Sequence, residues 1–167
     1  MRNIEKIESP LFQLLSELSI PIKIYRHAPL STVKESKDLR GNIPGTHIKN
    51  LFLRDKKKNK FLFVLTEDET VDLKDLKKII GCSGNLSFGN KDLLFDCLGV
   101  EPGSVTPFAA INDITLSTKI VIDRKILDGE IVNAHPLHNQ ATISISGNDL
   151  RRFLEECKHS PYIIDLI

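Results

Sequence analysis

Ile48-Lys49-Asn50-Leu51-Phe52-Leu53-Arg54 and Lys60-Phe61-Leu62-Phe63-Val64-Leu65-Thr66 read as two strands. The five polar residues between them, Asp55-Lys56-Lys57-Lys58-Asn59, fit a hairpin loop. With a period of two along the first run, Lys49 shares a face with Leu51 and Leu53, while Ile48, Asn50 and Phe52 take the other. A sheet therefore stands at the centre of the chain, and the flanking segments are read outward from it.

On the N-terminal side, Leu11, Leu14, Leu15 and Leu18 follow the i, i+3, i+4, i+7 spacing of one helical stripe. Pro21 closes that helix, and Ile22 and Ile24 then alternate like a strand. Thr32 with Glu35 three residues on is a capping box for a short helix through about Leu39, before Gly41, Pro44 and Gly45 force a loop.

On the C-terminal side, Leu73, Leu76, Ile79 and Ile80 predict a helix stopped at Gly81, and another runs from about Asn90 to Gly99. Residues 101–107 are the least regular stretch. Residues 119–123, 130–135 and 142–146 read as strands. Ser146 with Asp149 caps a last helix bearing Leu150, Phe153 and Leu154, and residues 162–166 make a final strand. These elements predict one α+β domain over residues 1–167, built on a mixed, mainly antiparallel sheet.

Composition bounds the function. The 167 residues carry 23 Lys and Arg against 22 Asp and Glu, so global charge does not hold this chain to nucleic acid, although a local basic patch remains open. The longest apolar run, residues 61–65, is far short of the ~20 needed to span a bilayer. No apolar stretch follows the early charges, so a secretory signal is not expected. Cys82, Cys97 and Cys157 are odd in number and widely spaced, which suits structural thiols in the cytoplasm.

Familiar catalytic signatures are missing. No HExxH or Cys/His cluster offers a metal site, and no Gly-rich phosphate loop is found. Three stretches remain. Lys49, heading an apolar row, is either a strand-end side chain reaching for water or a cation placed to hold a phosphate. Gly103-Ser104-Val105-Thr106-Pro107 is either a plain turn or a stiff loop that gauges something small. His135, held extended by Pro136, either hydrogen-bonds a substrate or sits satisfied in the core. The basic cluster of Arg54, Lys56, Lys57, Lys58 and Lys60 is either a solvated turn or a nucleic-acid backbone contact.

The string Lys49-Asn50-Leu51-Phe52-Leu53-Arg54-Asp55, then Val71-Asp72-Leu73, then residues 98–108 ending in Gly-Ser-Val-Thr-Pro-Phe, then His135-Pro136-Leu137 with Asn139 and Ala141-Thr142, resembles the YbaK/ProX family in order and spacing. The likeness is strongest to its free-standing ProXp-ala or PrdX branch. The resemblance implies a curled mixed sheet surrounded by helices, and hydrolysis of alanine from mischarged tRNA(Pro) with no cofactor or metal. It implies that Lys49 anchors the terminal adenosine or its phosphate beside Asn50. Gly103, Ser104, Val105, Thr106, Pro107 and Phe108 would line the aminoacyl pocket, His135 would orient the substrate, and Asn139 would assist. Arg54, Lys56, Lys57 and Lys58 would meet the tRNA backbone. The partner implied is the acceptor end of tRNA(Pro), with prolyl-tRNA synthetase or an elongation factor as candidate companions and no membrane. Cys-tRNA(Pro) editing and a non-catalytic tRNA- or synthetase-binding module are the alternatives.

The chemistry implied is physically economical. An aminoacyl ester is already activated, so positioning and a few hydrogen bonds to a developing oxyanion can suffice. A synthetase pocket that admits proline rejects the smaller alanine by only ~1–3 kcal/mol per missing methylene, so a second, smaller site is needed.

Overall fold

The computed structural model describes residues 3–30, 37–39 and 41–166. Helix α1 (Ile4–Glu17) forms where the leucine stripe predicts it, capped by the Asn3 side chain, which accepts from the Lys6 amide. Leu11 and Leu15 are fully buried. Strand β1 (Lys23–Arg26) follows. The Thr32–Glu35 capping box lies outside the described residues, while Lys37, Asp38 and Leu39 are helical.

The central hairpin joins β2 (Thr46–Arg54) to β3 (Lys60–Thr66) in antiparallel register, from Ile48 opposite Thr66 to Arg54 opposite Lys60. β2 starts earlier than its own pattern suggests because Thr46 and His47 pair in parallel with distant Val132 and Asn133. Helix α2 (Leu73–Ile80) is capped by Asp72 and stopped by Gly81 in the left-handed conformation. After the two-residue strand β4 (Ser87–Phe88), helix α3 (Lys91–Leu98) runs between the Asn90 cap and left-handed Gly99. A 3-10 turn occupies Pro107–Asn112, followed by β5 (Thr118–Asp123) and the single-turn helix α4 (Arg124–Leu127). The chain closes with β6 (Val132–Ala134), β7 (Ala141–Ile145), α5 (Gly147–Glu156) and β8 (Tyr162–Ile164). As the sequence predicts, Ser146 caps α5 by accepting from the Asp149 amide.

The strands form one curled mixed sheet in the order β1-β7-β6-β2-β3-β5-β8, with β4 paired to β2 off that path. β1–β7, β6–β7, β2–β3 and β2–β4 are antiparallel; β2–β6, β3–β5 and β5–β8 are parallel. Side-chain alternation divides the core. Phe52, Leu62 and Val64 join Leu11, Phe108 and Phe153 in the main cluster. Leu53, Phe61, Phe63 and Leu65 face the other way, against Leu76 and Val121. β3 is therefore buried on both sides, and β2 carries one residue row to each cluster. That two-sidedness decides where Lys49 and Asn50 point.

Candidate functional site

The parallel ladder between β2 and β6 holds only two registered pairs, Thr46–Val132 and His47–Asn133. Beyond His47, β2 continues along β3, and a cleft of about 70 Å³ opens where the two strands part. Ile48 and Asn50 form one wall, Asn133, Ala134 and His135 the other, Thr142 enters from β7, and Leu30 and Leu39 add apolar surface. One liquid water occupies ~30 Å³, so the space suits a group of a few heavy atoms. No carboxylate or thiol is among its described lining residues.

Each polar group in the walls is held from outside the cleft. Asn133, itself buried, donates through Nδ2 to the carbonyls of Pro44 (3.0 Å) and Thr46 (3.4 Å) and accepts from the Ser144 hydroxyl. His135 lies 2.9 Å through Nδ1 from the Ala141 carbonyl; a carbonyl can only accept, so Nδ1 carries the proton. The same logic puts a proton on Nδ1 of His27, 2.9 Å from the Ala28 carbonyl. In the neutral ring, His27 Nε2 then accepts from the Thr142 hydroxyl at 3.0 Å. The His27 and His135 rings stand 6.3 Å apart, tilted by 59°.

Asn50 is the exception. Its Oδ1 is buried and has no hydrogen-bond partner among the described residues. An acceptor withdrawn from water without a donor costs ~1–3 kcal/mol. Asn50 itself lines the cleft, so a ligand seated there lies beside this unmet acceptor.

The histidine-bearing loop after β6 is fixed to helix α1. His138 is buried and its Nε2 donates to Glu8 on α1 at 2.6 Å, while its Nδ1 accepts from the Gln140 amide at 3.0 Å. Arg26 grips both oxygens of the same carboxylate at 2.9 and 2.7 Å. Burial pushes the Glu8 carboxyl up, but the hydrogen bonds from Arg26 and His138 outweigh it and hold the group below the usual carboxylate range. Leu137, buried at φ 73°, takes a left-handed backbone that a leucine adopts only under constraint. His138, near the pocket segment in sequence, anchors this loop and does not line the cleft.

The sequence candidates separate. Asn50 and His135 line the cleft. Lys49 lies on the opposite face of β2, and its ammonium donates to the Glu69 carbonyl. It makes no ion pair with a described carboxylate. Residues 103–107 do not line this cleft. Ser104, Thr106, Pro107 and Phe108 are buried; Thr106 caps the 3-10 turn through the Phe108 amide, and Phe108 meets Phe153 edge-on at 5.3 Å. Gly103 is left-handed (φ 87°), with open space where a Cβ would stand. Asn139 is half-buried, and Arg54, Lys56, Lys57 and Lys58 stand exposed at the hairpin.

Sequence reading missed His27, Asn133 and the structural pair Glu8–His138. The available signal for Glu8 was its place on the Leu11–Leu15 stripe, where an acid heading a buried row needs a partner. The thiols lie elsewhere: Cys97 is buried, and burial pushes Cys157 up to about 11 and Cys82 upward as well. Among the described residues, no three His, Cys, Asp or Glu side chains group as metal ligands.

A small cleft with no carboxylate among its described lining residues, set in a curled mixed sheet, is the site that sequence comparison places in a family. The chain belongs to the aminoacyl-tRNA editing domain family, whose profile matches residues 27–153, and within it to the YbaK/ProX group. It is 35% identical over 142 residues to the prolyl-tRNA editing protein ProX of Acetoanaerobium sticklandii, covering 84% of this chain and 86% of that one. It is also 35% identical over 160 residues to the prolyl-tRNA synthetase associated domain-containing protein 1 of Danio rerio, covering 95% and 86%. A solved structure described as a trans-editing enzyme for prolyl tRNA synthetase shares the fold, with a TM-score of 0.69 at 19% identity and 98% of each chain covered.

Proposed function

We propose that the protein is a deacylase that removes alanine from mischarged tRNA(Pro), with the aminoacyl group seated in the cleft between β2 and β6. The unpartnered Oδ1 of Asn50 carries this reading. The α-ammonium of an aminoacyl ester, or a hydroxyl of the terminal ribose, supplies the donor that Oδ1 lacks. The confined volume supports a small side chain over the proline ring.

In the reaction, a water oxygen attacks the ester carbonyl carbon and the carbon–oxygen bond to the ribose breaks. One proton of that water passes to the ribose oxygen, restoring the hydroxyl, and the other is lost to solvent as the amino acid leaves as its carboxylate. A ribose hydroxyl of the tRNA orients the water, and no protein nucleophile is required. His135, its tautomer set by the Ala141 carbonyl, orients the substrate. His27 and Thr142 hold the opposite side by their mutual hydrogen bond. Lys49, on the other face of β2 and without an ion pair to a described carboxylate, offers its charge to the RNA strand leading to the cleft, and open space at Gly103 leaves that backbone approachable by the RNA end. Arg54, Lys56, Lys57 and Lys58 meet the sugar–phosphate backbone.

Purified protein assayed in parallel on tRNA(Pro) bearing alanine, cysteine, serine and proline tests this. Rapid loss of alanine with proline retained is the expected result, and Lys49→Ala lowers the rate. Preferred loss of cysteine would move the assignment to Cys-tRNA(Pro). Binding of tRNA with no hydrolysis of any ester would make the protein a binding module.

A further inference from the structure

An open groove of about 730 Å³ lies at the hairpin end of the sheet, away from the cleft. Lys57 and Lys58 of the hairpin, Lys60 of β3, Lys119 of β5 and Lys158 after α5 line it. Five lysines from three separate parts of the chain thus border one groove. Lys57, Lys58, Lys60 and Lys158 have no carboxylate partner among the described residues, and Lys119 leans over the Tyr162 ring at 4.5 Å. Asp55 is the acid in the lining, but it is buried and its oxygens are taken by the amide and side chain of Asn59 and the amide of Ser83. Asp113, beneath Ser117 and Thr118, is also buried, occupied by both of those residues and by His159. No described carboxylate pairs with Lys57, Lys58, Lys60 or Lys158 to offset their charge.

Backbone conformation singles out two of these lysines. Lys58 (φ 66°) and Lys158 (φ 64°) both occupy the left-handed region, where glycine or asparagine sits with less strain. Local folding does not require a lysine at either position, so glycine can replace it without backbone cost. Point charges without planar forks suit phosphate held by charge alone, with no reading of bases.

We propose that this groove is a second RNA site, which holds the sugar–phosphate backbone of the same RNA whose 3′ end enters the cleft. The inference rests on the proposed function for the identity of that RNA. From Ile48 to Arg54, β2 spans six residue steps, ~20 Å at the rise of a strand. The unpaired 3′ end of a tRNA covers such a distance, which brings its paired stem to the lysines.

Fluorescence anisotropy with uncharged tRNA(Pro) across a salt series tests the groove independently of catalysis. The variants are Lys58→Gly/Lys158→Gly and Lys57→Ala/Lys119→Ala, each checked by thermal melting. The glycine pair is expected to melt at or above the wild-type temperature yet bind tRNA at least tenfold more weakly. Its slope of log K against log salt should be shallower by roughly 1–2, as befits two lost phosphate contacts. In deacylation, groove variants should raise KM and spare kcat, whereas Thr142→Val in the cleft should lower kcat and spare tRNA affinity. Unchanged affinity and salt slope in both groove variants would overturn the proposal. So would displacement of nothing but poly-glutamate, with tRNA unaffected, which would mark a site for an acidic polypeptide. If no ester is hydrolysed but the glycine pair still loses tRNA affinity, the groove stands and the catalytic reading falls.

Discussion

Glu8 and His138, 130 residues apart in sequence, meet at 2.6 Å in the interior, with Arg26 closing the other side of the carboxylate. The first helix thereby fixes the loop that carries His135, and the cleft depends on a contact with α1 that its own lining does not reveal.

Acid should loosen this anchor first. The folded Glu8 carboxyl titrates below the ordinary glutamate value of about 4.3, so its contribution is complete above that pH and is lost as pH falls through the lower, folded value. The melting temperature should therefore drop on acidification in that window. Glu8→Gln should cost about 1–3 kcal/mol near neutrality and flatten the acid limb. Thermal melts of both proteins from pH 3 to pH 7 check this.

Asn50 should separate stability from activity. Removing a buried acceptor that has no donor relieves a desolvation cost, so Asn50→Leu should raise stability by about 1 kcal/mol. The same change should reduce deacylation at least tenfold, since a charge-assisted hydrogen bond to substrate is lost. Equilibrium urea unfolding and single-turnover hydrolysis on one preparation measure both.

Gly45 leads the chain into the cleft wall. At φ 109°, its missing Cβ would stand 2.5 Å from Cγ2 of Ile131. Gly45→Ala should destabilise by about 1–3 kcal/mol through strain and that collision, and should shift the start of β2. A lowered melting temperature with amide shift changes confined to Thr46, His47 and Val132 is the expected signature.

Thiol chemistry should not matter to turnover. With Cys157 pushed up to about 11 and Cys82 raised by burial, little of either thiol is ionised near neutral pH, and Cys97 is buried from reagents. Brief treatment with a maleimide at pH 7 should leave deacylation unchanged, as should Cys157→Ser.

Much of this fold is written locally. Gly81, Gly99, Asn90 and Ser146 each mark a helix end because capping is a contact within four residues. The hairpin appears at its predicted residues for the same reason. What escaped was either too short or too distant. β4 is two residues long and α4 a single turn, so neither develops a period. The cleft is harder still: Asn133 reaches Pro44 across 89 positions, and His27 reaches Thr142 across 115. No spacing rule connects such residues before the sheet brings β2, β6 and β7 together. Lys49 and Asn50 show the converse, since alternation alone places them on opposite faces of β2, as the fold does.

Size discrimination by the cleft is tested most directly by single-turnover hydrolysis of alanyl and prolyl esters of tRNA(Pro), by the wild-type protein and by Ile48→Ala, which widens the β2 wall. The wild-type protein should cleave the alanyl ester and leave the prolyl ester intact, and the widened cleft should begin to cleave the prolyl ester. Equal cleavage of both by the wild-type protein, or a prolyl ester untouched after widening, would contradict the account.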